Sequence, residues 1–139
     1  AAVIVCSEDY ANKNSLEILA YIRGMAISGC SPEIMGIGPV LSSQKALKRA
    51  GIKLEDVDII EMNEAFAAQS LACVKELGVE MSKLNIHGGA ISMGHPLGAS
   101  GARITGKAAS LLKETGKRYA LSTMCVGGGQ GCATVLERA

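Results

Sequence analysis

Three short stretches of the sequence carry side chains suited to acyl-transfer chemistry. His95 stands between a glycine and a proline, Cys125 lies just before the glycine-rich run 127–131, and Asn63 is followed by a glutamate. An imidazole exchanges protons near neutral pH, a thiol can act as a nucleophile or an acid/base, and an amide or a backbone N–H can bind a developing oxyanion. If the fold brings these stretches together, they would form a site for acyl chemistry.

The neighbours of His95 hold it on a rigid, non-helical turn. Pro96 fixes its own φ and disfavours the α region for the residue before it, while Gly94 permits backbone angles that other residues avoid. A helix with apolar residues at i, i+4 and i+7 is predicted to begin at Gly98. Its free N–H groups would then lie a few residues past the imidazole. This setting favours a functional histidine over a structural or surface one.

Cys125 and Asn63 each have a structural alternative. A cysteine is often a small buried hydrophobic residue, and an asparagine is a common helix N-cap. The run 127–131 favours a function for Cys125, because so many glycines imply close backbone approach. A metal site is not predicted, since His87, His95 and the cysteines lack paired ligand spacing. Neither a G-x-x-x-x-G-K-[ST] loop nor a G-x-G-x-x-G fingerprint occurs.

Alternating strand and helix patterns predict the framework around these residues. Strands are expected at 2–6, 16–28, 57–62, 118–125 and 132–137, with helices between most of them. Asn63 and Cys125 each end a strand, so both are expected at the sheet edge where ligands of α/β proteins bind. The pattern predicts one α/β domain over residues 1–139, with a mostly parallel sheet and an antiparallel last strand at its edge.

Local signals predict how the helices begin and end. Asn63 is expected to cap a helix that carries Glu64 in its first turn. Glycines are expected to end three helices, at Gly51, Gly78 and Gly116. The buried stripe of the helix after Asn63 is predicted to consist of Ala67, Leu71, Val74 and Leu77.

Composition restricts the class of partner. The 139 residues are 48% apolar and 19% charged with a net charge of +1, which predicts a globular domain without a basic field for nucleic acid or an anionic membrane. No apolar run approaches the roughly 20 residues of a membrane span. Five cysteines without a C-x-x-C pair favour reduced thiols over a disulfide framework. The apolar opening of the sequence suggests a fragment or isolated domain of a longer protein.

Taken together, the three stretches resemble a thiolase. The matching motifs occur in the family's order and spacing: Asn63-Glu64-Ala65-Phe66, Gly94-His95-Pro96 and Cys125-Val126-Gly127, with Met35-Gly36-Ile37-Gly38-Pro39 as a further match. The resemblance covers essentially the whole chain and is to the C-terminal half of an acetyl-CoA acetyltransferase or 3-ketoacyl-CoA thiolase. It implies a five-stranded mixed sheet with helices on both faces.

The resemblance also implies a role for each site residue. His95 matches the histidine that activates the nucleophile and helps to bind the thioester oxygen, and Cys125 matches the second cysteine, an acid/base. Asn63 matches the asparagine that positions a water in the first oxyanion hole, and the N–H of Gly127 matches a donor of the second. Residues of the pantetheine channel are matched by Met35, Ala65 and Phe66.

The expected activity is reversible condensation of two acetyl-CoA molecules, or thiolytic cleavage of acetoacetyl-CoA. His87, where many thiolases carry asparagine, favours this short substrate. Three alternatives stay open: a longer-chain 3-ketoacyl-CoA thiolase, a non-catalytic CoA-binding or assembly module, and a condensing enzyme for another acyl carrier. Cys125 argues against the last of these.

The resemblance further implies the partners of the chain. The acylated cysteine of the family belongs to an N-terminal half that this sequence lacks, so the chain alone is expected to be inactive. CoA thioesters are substrates, and no cofactor or metal is expected. The expected partners are the N-terminal half and further subunits in a homodimer or homotetramer, with a cytoplasmic or mitochondrial location.

Overall fold

A four-stranded mixed sheet forms the centre of the computed structural model, which describes residues 1–139. Its strands are β1 (Ala20–Gly29), β2 (Ile59–Met62), β3 (Tyr119–Val126) and β4 (Gln130–Arg138), in the spatial order β1-β4-β3-β2. β2 and β3 are parallel, and β4 is antiparallel to both of its neighbours. Three strands therefore run in one direction and β4 runs against them, so the predicted antiparallel last strand is confirmed. However, β4 lies inside the sheet and not at its edge. The prediction of a mostly parallel sheet is wrong, because only the pairing of β2 with β3 is parallel.

The prediction of a fifth strand is wrong. Residues 2–6 form no regular structure and are exposed, because an apolar run becomes a strand only where another strand can pair with it. On the outer side of β2, a single parallel bridge joins Ile60 to Leu84. That bridge is the only strand-like pairing beyond the four strands.

Helices cover both faces of the sheet. They are α1 (Glu8–Lys13), α2 (Gly38–Ala50), α3 (Ala67–Leu77), α4 (Ala90–Met93) and α5 (Leu97–Thr115), with 3₁₀ turns at Pro32–Ile37, Leu54–Asp56 and Met81–Lys83. The predicted glycine ends are confirmed, because Gly51, Gly78 and Gly116 all adopt positive φ at the ends of α2, α3 and α5. None of these helices combines the length and apolar character that a membrane crossing requires.

Two apolar layers stabilise the sheet from opposite sides. The layer between the sheet and α2 and α3 is the larger and contains Val40, Leu47, Ile60, Met62, Cys73, Leu121 and Val135. The layer under α5 contains Ile59, Ala108, Leu111, Leu112, Ala120 and Leu136. The apolar residues that the sequence repeats at i, i+4 and i+7 in α5 are Ile104, Ala108 and Leu111, and all three are buried. The sheet is therefore rigid, and the parallel strands β2 and β3 end on the same side of it.

The helix after β2 begins three residues later than predicted. α3 starts at Ala67, and its N-cap residue is Phe66, whose side chain makes no capping bond. Asn63 and Glu64 therefore belong to an extended connector, because their side chains bind distant partners in preference to the first turn of a helix. The predicted stripe is half right. Val74 and Leu77 pack against the larger apolar layer, whereas Ala67 and Leu71 are exposed. The fully buried residues of α3 are Gln69, Ser70 and Cys73.

Candidate active site

Asn63 lies at the carboxyl end of β2, beside β3. Its backbone N–H donates to the carbonyl of Thr123 over 2.9 Å, so the pairing of β2 with β3 continues one residue past the strand. The Asn63 side chain is fully buried. Cys125 follows Thr123 by two residues on β3. Asn63 and Cys125 therefore share one edge of the sheet, as predicted from the strand ends.

His95 reaches this edge from the turn between α4 and α5. Gly94 has a φ of 93°, which a residue with a Cβ rarely adopts, and Pro96 is the N-cap residue of α5. The half-buried imidazole of His95 points its Nε2 at Asn63, with 3.3 Å between Nε2 and Asn63 Nδ2. The predicted meeting of the histidine and the asparagine is confirmed.

Ser100 fixes the other side of the imidazole and is a site residue that sequence analysis missed. Its hydroxyl lies 2.6 Å from His95 Nδ1 and donates to the Pro96 carbonyl over 3.1 Å. Since that hydroxyl proton is already used, Ser100 Oγ accepts from Nδ1–H, and Nε2 keeps a lone pair towards Asn63. The arrangement selects the tautomer with its hydrogen on Nδ1, in which Nε2 accepts from the Asn63 amide.

The Cys125 thiol lies among buried groups on β3. It is only 6% exposed, and burial, with a smaller contribution from Cys30, raises the pKa of the thiol above its ordinary value. The thiol is therefore protonated near neutral pH and can donate a proton. No hydrogen bond joins Cys125 directly to His95 or Asn63; the three share the edge but not a continuous bonded chain.

The glycine-rich loop after Cys125 packs backbone against backbone, as its composition predicted. A Cβ on Gly131 would lie 2.1 Å from the carbonyl carbon of Gly38, and a Cβ on Gly129 would lie 2.3 Å from Cys30 O. The N–H of Cys30 donates to Gly129 O over 2.7 Å. Gly127 is exposed at the beginning of this loop, so a ligand can approach it from solvent.

The three residues expected at a substrate channel lie on neighbouring segments. Met35 is half-buried in the 3₁₀ turn Pro32–Ile37, and Ala65 and Phe66 belong to the connector between β2 and α3. The turn packs on α3, since Cys73 Sγ lies 3.3 Å from Gly36 O. Phe66 is 64% exposed and gives this region an uncovered aromatic surface. His87 is exposed and makes no hydrogen bond to the site.

A buried ion pair lies beneath the site. Glu61 of β2 is 1% exposed, and the Nζ of Lys107 from α5 lies 3.1 Å from its Oε1. The pair is not well aligned, and neither Glu61 oxygen makes a directed hydrogen bond. Burial raises the pKa of Glu61, while Lys107 lowers it to a smaller extent. No group of His, Cys, Asp and Glu side chains is arranged to hold a metal ion.

Comparisons with known proteins identify the family of the chain. Residues 16–138 match the model of the family described as thiolase, C-terminal domain. The 3-ketoacyl-CoA thiolase of Vibrio parahaemolyticus is 56% identical over 99% of this chain, which corresponds to 36% of that protein. The chain therefore spans about a third of the length of this relative.

Solved structures show the same fold. Human mitochondrial 3-ketoacyl-CoA thiolase in complex with CoA superposes with a TM-score of 0.92 at 48% identity, covering 95% of this chain and 34% of the human chain. The acetyl-CoA acetyltransferase of Bacillus anthracis superposes with a TM-score of 0.92 at 44% identity, covering 96% of this chain and 34% of the other. The chain belongs to the thiolase family and corresponds to its C-terminal domain.

Proposed function

We propose that this chain supplies the acid/base and oxyanion-binding groups of a thiolase that cleaves 3-ketoacyl-CoA with CoA, or condenses two acetyl-CoA in reverse. The observation that carries the proposal is the hydrogen-bonded line from Asn63 through His95 to Ser100, with Cys125 at the same sheet edge. The family match supports it.

His95 is the base of the first half-reaction. Its Nε2, which accepts from Asn63 Nδ2 in this structure, takes the proton of a cysteine thiol that the remainder of the polypeptide supplies, and the sulfur attacks the keto carbon. Once protonated, Nε2–H becomes a donor for the resulting oxyanion. Asn63 Oδ1 is buried and has no protein partner, which leaves an acceptor for a bound water that donates to the same oxyanion.

Cys125 moves the second proton. Cleavage of the carbon–carbon bond leaves a carbanion on acetyl-CoA, which takes the Cys125 proton. The resulting thiolate then removes the proton of the incoming CoA, whose sulfur attacks the acyl-cysteine and releases it. A thiol that burial keeps protonated near neutral pH fits the first of these steps. The N–H of Gly127 would stabilise the oxyanion of the second.

The acyl chain length has two candidate answers. His87 favours acetoacetyl-CoA, whereas the names of the similar curated relatives, all 3-ketoacyl-CoA thiolases, favour longer substrates. In both cases we propose that Met35, Ala65 and Phe66 contact the pantetheine arm, and the CoA complex of the human relative supports a CoA thioester as substrate. We further propose that the chain works together with an N-terminal half, in a homodimer or homotetramer. The proposed location is cytoplasmic or mitochondrial.

The test is an assay of the complete polypeptide with acetoacetyl-CoA and with a long-chain 3-ketoacyl-CoA. We expect His95→Ala and Cys125→Ser to lower kcat by about a hundredfold or more, the usual contribution of a general acid or base. Full activity in both variants would reject the assigned roles. The ratio of kcat/KM for the two substrates decides the chain length, and calorimetry of this chain with CoA tests the binding-module alternative.

A further inference from the structure

The loop that leads to His95 is tied to the end of β2 by one carboxylate. Glu64 follows Asn63 directly in the sequence. Its Oε1 accepts from Asn85 Nδ2 over 2.7 Å, and its Oε2 accepts from the Ile91 N–H over 2.9 Å. A single side chain therefore holds both ends of the loop 85–91, four residues before His95.

Asn85 receives this carboxylate in a fixed orientation. Its Oδ1 accepts from Met62 N and its Nδ2 donates to Met62 O, both over 2.9 Å, so the side chain pairs with β2 as a neighbouring strand would. Its backbone N–H donates to Ile60 O over 2.8 Å. The amide cannot be turned around without breaking both bonds to Met62, so Nδ2 always faces Glu64.

The carboxylate is also packed tightly against the loop backbone. A Cβ on Gly89 would lie 2.3 Å from Glu64 Cδ and 2.4 Å from each oxygen, so any larger residue at that position would push the carboxylate away from the loop. On the opposite side of the loop, Lys107 Nζ donates to Gly88 O over 2.7 Å. The loop therefore has one anchor on β2 and one on α5.

We propose that Glu64 is a positioning residue for the site, setting the distance between the Asn63 amide and the His95 imidazole. Its backbone continues from Asn63, and its carboxylate holds the segment that leads through α4 and Gly94 to His95. The expected effect on catalysis rests on the proposed function. The connection from Asn63 through Glu64 to His95 rests on the geometry alone. A small displacement of reacting groups is enough to lower a rate about a hundredfold.

The test compares Glu64→Ala and Glu64→Gln with the matched control Glu76→Gln, an exposed glutamate on α3, in the complete polypeptide. We expect Glu64→Ala to speed amide hydrogen exchange at Ile91 by about tenfold or more, without faster exchange at Leu121 in the centre of β3. We expect kcat to fall about tenfold to a hundredfold with little change in KM. Glu64→Gln keeps one acceptor oxygen and should give an intermediate loss in both measurements.

Two further results separate this inference from the proposed function. If Glu64→Ala and Glu64→Gln both keep the normal kcat and the normal exchange rate at Ile91, the inference is overturned. If His95→Ala is active but exchange at Ile91 still depends on Glu64, the proposed function fails and the link survives. Should Glu64→Ala not fold, Glu64→Gln and Gly89→Ala carry the test, since a Cβ at Gly89 displaces the same carboxylate.

Discussion

Two loops lie near the carboxyl ends of the parallel strands β2 and β3, and different forces hold them in place. The loop 85–91 is held by side chains, chiefly the carboxylate of Glu64 and the ammonium of Lys107. The hairpin loop 127–129 and the first residues of β4 are held by backbone contacts with the segment 30–38. The attachment of the loop 85–91 is weakened by removing a side-chain functional group. The attachment of the hairpin loop is weakened by adding a methyl group to a glycine. A thiolase domain thus fixes two neighbouring parts of one site in ways that respond to different substitutions.

The largest effect is expected where the backbone contact is closest. In Gly131→Ala, the new Cβ would lie 2.1 Å from the backbone of Gly38, so β4 or α2 must shift. We expect a loss of about 3 kcal/mol or more in the free energy of unfolding, measured by urea denaturation. Gly98→Ala is the control: nothing lies within 4 Å of its Cβ, and alanine favours a helix by up to about 1 kcal/mol. Equal stability of the two variants would contradict the account of the hairpin loop.

An intermediate effect is expected from removing the hydroxyl partner of the histidine. Ser100→Ala leaves His95 Nδ1–H without its acceptor, so the imidazole loses its fixed tautomer and orientation. We expect kcat to fall about tenfold to a hundredfold, and the nitrogen NMR signals of His95 to report a mixture of tautomers. The matched control is Ser110→Ala on the exposed side of α5, whose hydroxyl bonds only to Gly106 O. A single unchanged tautomer in Ser100→Ala would remove Ser100 from the site.

The smallest effect concerns the buried ion pair and appears as a pH dependence. Because burial raises the pKa of Glu61, the folded chain holds this proton to higher pH than the unfolded chain does. Its contribution to stability is complete below the ordinary glutamate pKa and is lost as the pH rises through the raised value. Lys107 and Arg103 oppose the shift, and Glu64 adds to it.

Glu61→Gln should therefore flatten the decline of stability towards neutral pH. Urea midpoints measured from about pH 4 to about pH 8 would reveal the difference from the unsubstituted chain. Lys107→Met should steepen the decline, since the charged carboxylate then loses its nearest cation. Parallel curves for all three proteins would mean that Glu61 does not titrate in this range.

The sequence predicted the helix ends, the strand ends and the turn at His95, since interactions between nearby residues determine these features. Gly51, Gly78 and Gly116 end their helices because a left-handed residue closes a helix whatever surrounds it. The shared edge of Asn63 and Cys125 followed from the strand ends, and the His95 turn from its proline and glycine. The helix ends and the His95 turn depend on neighbours a few residues away. The shared position of Asn63 and Cys125 needed one further rule, that parallel strands end on the same side of a sheet.

Long-range partners decided the features that the sequence did not reveal. Asn63 and Glu64 have the residue types of a helix start, but their side chains bind His95 and Asn85, more than 20 residues away. The run 2–6 has the composition of a strand, and composition does not say whether a partner strand is available. Ser100 could have been noticed, since a serine in the first turn of α5 directs its hydroxyl back towards the helix start.

The position of β4 has a consequence for how the chain is made. Ala20 at the start of β1 pairs with Arg138 at the end of β4, and β4 is also the only bridge between β1 and β3. During synthesis β1 therefore leaves the ribosome long before any strand exists to cover its backbone. A nascent chain that stalls before Gln130 would carry an open strand edge, and such an edge can pair with the edge of another chain.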